Sequence, residues 1–381
     1  MLEGGWEEQM KIPLAKPDIT AREIEAVVGI LRTPQLSLGP KLEEFEKKLA
    51  EYAGVNHAVA TNSGTSALHL IIRALGIGPG DEVITTPFSF IASANCILFE
   101  GAKPIFVDID RKTLNIDPER IKGAITSKTK AILGVDVFGH PADWLALEKI
   151  AQEHGLLLIE DSAEALGSEL AGRRCGSFGK AAVFGFYPNK QITTGEGGMV
   201  VTDDSQVAAL CHSMTNQGRG EGSEWLEHVR LGYNYRMDEM SAALGLAQLS
   251  RIEEIIAARA QVAKWYTKAF QQIEGVEPPY MAADIKMSWF VYVVRLNEAF
   301  TQKDRDRILN GLKQRGIGCR NYFAPIHLQP FYKETLGTKK GDFPITEAVS
   351  WRTIALPFYN RLTKEEVETV VDILGDLIHR G

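Results

Sequence analysis

In the first half of this 381-residue chain, short β-rich runs alternate with helical patterns, and this alternation narrows the possible folds more than any other feature. His57-Ala-Val-Ala60 leads into an amphipathic stretch from Ser66 to Leu75. Glu82–Thr85, Pro104–Val107, Thr129–Leu133 and Leu156–Ile159 read as further strands, and a segment with helical spacing, Asp143 to His154, lies between the last two. Strands that alternate with helices predict a largely parallel sheet covered on both faces. Ala181–Phe184 and Gly198–Val201 add two strands in a hairpin-like return.

From Met237 the pattern changes. Leu246, Leu249, Ile252 and Ile256 recur at three- and four-residue spacing, which predicts one long helix to about Phe270 that bridges two lobes. A strand (Phe290 to Leu296), a helix (Thr301 to Arg315, stopped at Gly316) and another strand (Gly318 to Tyr322) are expected after it. The final helix opens at Thr363, with Glu366 completing a capping-box pattern, and runs to about Ile378. The expectation is an α/β protein with a large domain over residues 1–245 and a smaller α/β domain over 246–381.

The formal net charge of -7 advertises no basic face, so nucleic acid and anionic membrane surfaces are poor partners. No apolar run approaches the roughly eighteen residues that a spanning helix needs. The opening MLEGGWEEQMKIPLAK has no basic segment followed by an apolar one, as a secretory signal would. Cys96, Cys175, Cys211 and Cys319 lie far apart with no C-x-x-C pair, and read as isolated thiols, not as a disulfide or metal framework. A cytoplasmic protein with no resident metal is expected.

Three segments carry chemistry. Leu156-Leu-Leu-Ile-Glu-Asp161 is an apolar strand run ending in two acids, which puts Asp161 near the carboxyl end of a buried strand, where open α/β sheets bind ligands. Acids also end strands in ordinary solvated turns. Lys190, in Val183-Phe-Gly-Phe-Tyr-Pro-Asn-Lys190, would by itself be a surface lysine. The glycine-rich run Thr193–Gly198 that follows lets a cofactor or another backbone come close. Thr61-Asn-Ser-Gly-Thr-Ser-Ala-Leu68 is a turn of small residues between strand and helix, whose free N–H groups and helix dipole favour a phosphate; a simple N-cap would need one hydroxyl, not four.

A phosphate cradle, a strand-end acid and a later lysine in one α/β lobe fit a pyridoxal-phosphate (PLP) site. That cofactor needs its phosphate anchored, its aldehyde captured by an amine and its pyridine nitrogen kept protonated by a carboxylate. The lysine, displaced by an incoming amine, is then free to move a proton.

On Asn62–Leu68, Glu160-Asp-Ser-Ala-Glu-Ala-Leu-Gly167, Pro188–Gly198 and Gly232-Tyr-Asn-Tyr-Arg-Met237, the sequence resembles the DegT–StrS family of nucleotide-sugar aminotransferases, over nearly the whole chain. The resemblance implies the aspartate-aminotransferase (type I PLP) fold, with Lys190 as the Schiff-base lysine and Asp161 as the pyridine partner. It implies that Gly64 and Thr65 hold the phosphate, that Phe90 stacks on the ring, and that Glu164 lies near the ring oxygen. Asn234 matches a residue that reaches the phosphate of a neighbouring subunit, implying a homodimer with shared sites. His327 and Tyr187 are assigned to the sugar side; on its own, His327 would read as a satisfied core histidine.

Departures from the family pattern cluster around the lysine. Gly185 stands where serine commonly gives a phosphate hydrogen bond, Glu164 where histidine or glutamine is frequent, and Tyr187 replaces a common histidine. Retention of Lys190 favours transamination over the dehydration of relatives that carry histidine there. Thr193–Gly198 resembles members acting at C4 of a 4-keto-6-deoxy sugar, and the family's usual amino donor is glutamate. A PLP-dependent dehydratase or lyase and a non-catalytic sensor are the competing readings. A dinucleotide oxidoreductase is disfavoured because Gly218-Arg-Gly-Glu-Gly222 follows no strand and lacks the spacing.

Overall fold

The computed structural model describes residues 11–220 and 227–379; the first ten residues of the segment read above for a signal, and the last two of the glycine-bearing stretch, Glu221 and Gly222, lie outside them. In chain order the first part runs α1 (Ala21–Leu31), α2 (Pro40–Ala53), β1 (His57–Thr61), α3 (Gly64–Ala74), β2 (Glu82–Thr85), α4 (Ala92–Phe99), β3 (Lys103–Phe106) and α5 (Pro118–Ile121). It continues with β4 (Thr129–Val135), α6 (Trp144–His154), β5 (Leu157–Asp161), the short β6 (Glu169–Leu170) and β7 (Arg173–Arg174), then β8 (Ala181–Gly185), β9 (Gly198–Thr202) and α7 (Ser205–Thr215). The second part holds α8 (Glu239–Leu249), α9 (Ile252–Phe270), β10 (Val276–Glu277), β11 (Ile285–Lys286) and β12 (Tyr292–Leu296). It ends with α10 (Gln302–Gln314), α11 (Pro330–Leu336), α12 (Pro344–Ser350), β13 (Thr353–Leu356) and α13 (Lys364–His379).

The central sheet has seven strands in the order β1-β9-β8-β5-β4-β2-β3. β2, β3, β4, β5 and β8 pair in parallel, and β9 is antiparallel to both β8 and β1. Successive side chains leave a strand on opposite faces, and here both faces are apolar. Val83, Leu133, Ile159, Val183 and Val200 pack into one core, whereas Ile84, Ile132 and Leu158, and Phe184 with Val201, pack into those on the other side. Burial on both faces explains why the strands read as near-continuous apolar runs instead of alternating ones. The β8–β9 return expected from the sequence is present, with Phe184 opposite Met199.

A three-stranded sheet, β10-β12-β13, forms a second core with α9, α10 and α13. Thr363 and Glu366 make the expected reciprocal cap: the Thr363 N–H donates to Glu366 Oε2 (2.8 Å), and the Glu366 N–H to Thr363 Oγ1 (3.2 Å). Two expectations are corrected. The single long helix to Phe270 is two helices, because the chain bends at Ser250 and Arg251, the latter with φ -116° and ψ 12°. The Arg251 guanidinium turns back onto Asp18 (2.7 Å) and Glu23 (2.9 Å), a buried ion pair that helical periodicity does not reveal. Gly318 to Tyr322 is not a strand; it is tied by the Gly318 N–H to the Ile12 carbonyl (2.8 Å) and by one bridge, Arg320 to Ala355. Leu249, Ile252, Ile255 and Ile256 share a core with α2 and β9. Among the described residues no helix is long and apolar enough to cross a membrane.

Candidate active site

Because β1, β2, β4, β5 and β8 run in one direction, the segments that follow them emerge along one edge of the sheet, where open α/β sheets bind ligands. The topology therefore gathers residues far apart in sequence: the head of α3, the Phe88–Phe90 turn, the end of β5 and the loop after β8.

α3 begins shortly after β1. Ser63 caps it, with its Oγ accepting from the Ser66 N–H (3.1 Å), and Ser66 Oγ in turn donates to Asn62 Oδ1 (2.7 Å). Gly64 and Thr65 occupy the first two helical positions, where N–H groups have no acceptor four residues back. This helix end is packed against β8 and β9 so tightly that a Cβ on Gly198 would sit 2.6 Å from the Gly64 nitrogen. The asparagine and hydroxyls of the turn thus fix its shape, and its first amides stay available for an anion.

Asp161 ends β5, only 5% exposed. Its Oδ1 accepts the Ala163 N–H (3.2 Å) and its Oδ2 the Ser93 hydroxyl (2.7 Å), and Ser89 Oγ lies 2.9 Å from Ser93 Oγ. Burial pushes the Asp161 carboxyl up, while Ser93, the Ala163 N–H and the Lys190 charge pull it down.

Lys190 stands on a loop closed by backbone pairing. The Phe186 N–H donates to the Gly197 carbonyl (2.9 Å), and the Phe186 carbonyl accepts from the Thr194 N–H (3.0 Å). The Lys190 Nζ is 3.4 Å from Glu164 Oε1 and 4.0 Å from the centre of the Phe290 ring. The other Glu164 oxygen accepts the N–H of Phe138 (2.9 Å), a residue in the left-handed region at φ 62°. Burial pushes Glu164 up, and the lysine and the Phe138 N–H oppose it.

The predicted residues separate on inspection. Lys190, Asp161 and Glu164 form one electrostatic group, with Gly64 and Thr65 at the adjoining helix end. Phe90 is 60% and Tyr187 53% exposed, both at the same edge of the sheet. Asn234 is exposed, and its carbonyl accepts from Asn62 Nδ2 (3.4 Å), beside the α3 turn. His327 is different: its ring is fully enclosed, with Nε2 3.1 Å from Glu347 Oε1 and an edge contact to Phe343. Its Nδ1 is buried without a hydrogen-bond partner.

Sequence reasoning missed several contributors. Ser93 holds Asp161, and Ser89 pairs with Ser93. Phe290 covers the lysine; buried Arg259 fixes its backbone, donating from Nη2 to the Phe290 carbonyl (2.7 Å) and from Nε to that of Trp289 (2.6 Å). Gln191 Nε2 joins the Glu164 carbonyl (2.6 Å) to Ser288 Oγ (2.8 Å). Only Gln191, adjacent to the lysine, carried a positional hint.

An amine held beside two buried carboxylates, next to an open helix end whose turns are kept free of side chains by Gly64, Gly185 and Gly198, has the groups that PLP requires. The fold and this donor set define a PLP-dependent enzyme of the type I class. The chain belongs to the DegT/DnrJ/EryC1/StrS aminotransferase family, which it matches over residues 17–375, a family of PLP-dependent sugar aminotransferases. It is 39% identical to GDP-perosamine synthase of Caulobacter vibrioides over 370 residues, 97% of this chain and 98% of that protein. The fold matches Helicobacter pylori PseC, an aminotransferase involved in the biosynthesis of pseudoaminic acid, with a TM-score of 0.92 at 30% identity, covering 97% of this chain and 100% of that one. It also matches the putative sugar aminotransferase Spr1654 of Streptococcus pneumoniae in its PLP form, with a TM-score of 0.92 at 30% identity over 97% and 99% of the two chains.

Proposed function

We propose that this enzyme moves an amino group from glutamate to C4 of a nucleotide-linked 4-keto-6-deoxy sugar, acting as a homodimer with shared active sites. The observation that carries this reading is the Lys190 amine held 3.4 Å from buried Glu164, beside Asp161 at the strand ends. The likeness to a GDP-perosamine synthase supports the sugar class.

Bound PLP supplies an electron sink for the charge left when a proton departs from the substrate carbon next to nitrogen. Lys190 would hold the cofactor through its Nζ, and its amine would carry that proton. Glu164 keeps the Nζ oriented while it is free. Asp161 stabilises the proton on the pyridine nitrogen. The amides of Gly64 and Thr65 take the phosphate, with the α3 dipole adding to their pull. Phe90 flanks the ring, Tyr187 faces the sugar, and Asn234 reaches the phosphate of the neighbouring subunit.

Borohydride treatment of the PLP-loaded protein is expected to fix the cofactor covalently on Lys190, and Lys190→Ala to abolish both adduct and turnover. UDP-, GDP- and dTDP-linked keto sugars assayed with glutamate would then identify the substrate. A 4-amino product with consumption of glutamate supports the reading. Loss of water without amine incorporation would mean a dehydratase instead.

A further inference from the structure

Asp161 is buried where water does not reach, yet one of its two donors is a side-chain hydroxyl that helix α4 supplies from 68 residues upstream. Ser93 is 1% exposed and Ser89 5%, so bulk water does not compete for either. Each hydroxyl has one proton to give. An ionised Asp161 accepts only, so Ser93 must donate to Oδ2 and Ser89 must donate to Ser93. A protonated Asp161 is a weaker acceptor, so the Ser93 hydroxyl, oriented by Ser89, stabilises the ionised carboxylate more than the neutral acid.

We propose that Ser93, oriented by Ser89, is a positioning residue that keeps Asp161 in its acceptor state and so leaves the shared proton on the pyridine nitrogen of PLP. This deepens the function proposed above and rests on Asp161 facing that nitrogen. Without the Ser93 hydroxyl, Oδ2 has one donor fewer in a dry site, the carboxylate becomes the stronger base, and the proton moves from ring nitrogen to carboxyl. No bond other than this N–H and the new O–H changes. The Ala163 N–H on Oδ1 remains, so Asp161 keeps its orientation while its charge is altered.

The test loads the protein with PLP labelled with 15N in the pyridine ring and reads the nitrogen's chemical shift at one pH, together with the rate of cofactor release. Wild type should show the protonated-nitrogen shift. Ser93→Ala should move it toward the unprotonated value and speed release by ~10-fold or more, the effect of one hydrogen bond to a charged group. Ser93→Thr, which keeps the hydroxyl, should restore both readouts, and Ser89→Ala should shift the resonance the same way by less. Asp161→Asn is the control that separates the two layers. If it moves the resonance while Ser93→Ala and Ser89→Ala leave the wild-type signal, the role of Ser93 is overturned and the Asp161 reading stands. If Asp161→Asn itself leaves the signal unchanged, the reading of Asp161 fails and the Ser93 proposal falls with it.

Discussion

Replacing Glu46 with glutamine should remove a pH-dependent loss of stability, and the structure sets its size. Glu46 lies on α2 with its side chain 14% exposed; its Oε1 accepts the Ala60 N–H from β1 (2.8 Å), and its Oε2 is 4.0 Å from His212 Nε2. Burial pushes its carboxyl up to about 8, against the pull of the Ala60 N–H. The folded protein therefore keeps this proton up to about pH 8, whereas the unfolded chain releases it near 4.5. Between those values the folded state binds more protons, so stability falls as pH rises. At 1.36 kcal/mol per pH unit the window corresponds to about 5 kcal/mol, an upper bound because the side chain retains some contact with water. Glutamine preserves the acceptor for Ala60 and has no charge to desolvate. Urea unfolding of both proteins, at equal concentration and PLP loading, should give nearly equal stability at pH 5 and a Glu46→Gln advantage of several kcal/mol at pH 8.5. A difference that is the same at both pH values would refute the argument.

Gly185→Ser should tighten PLP binding. A Cβ there would meet Ala163 Cβ at 3.4 Å, an ordinary contact, so a serine fits, and the added hydroxyl at the head of α3 is worth about 1.5–3 kcal/mol to an anion, or ~10-fold or more in a PLP titration of the apo protein. Unchanged or weaker binding would mean that the phosphate lies elsewhere. Arg251→Met should destabilise the protein by about 3–5 kcal/mol, because it leaves Glu23 as a buried acid without its cation, while Asp18 keeps Arg361 (2.7 Å). Denaturant midpoints at neutral pH would measure this, and a loss under about 1 kcal/mol would mean that water or another donor takes over.

The central sheet was legible because its code is local. A buried strand between two helices needs its own run of apolar residues, and Glu82–Thr85 was read to the residue. Asp161 was legible for the same reason: an acid closing such a run stands at the sheet edge that binds ligands. Lys190 needed its neighbours, since a lysine after a proline turn has no periodic signature. The misread elements share a different cause. Helical periodicity runs smoothly through Ser250 and Arg251, but an ion pair with residues more than two hundred positions away bends the chain there. Gly318 to Tyr322 was read as a strand, yet the neighbouring backbone offers it a single bridge and no ladder.

By itself, then, the sequence determined the layered α/β architecture, the order of turn, acid and lysine, and the cofactor class that this order serves. Tertiary structure alone decided what surrounds those groups: Ser93 on Asp161, Glu164 and Phe290 on Lys190, and the enclosure of His327 by Glu347. The physical reason is that backbone periodicity is written in neighbouring residues, whereas a hydrogen bond across 68 residues or a ring contact across a hundred exists only after the crossovers have brought separate segments to one edge of the sheet.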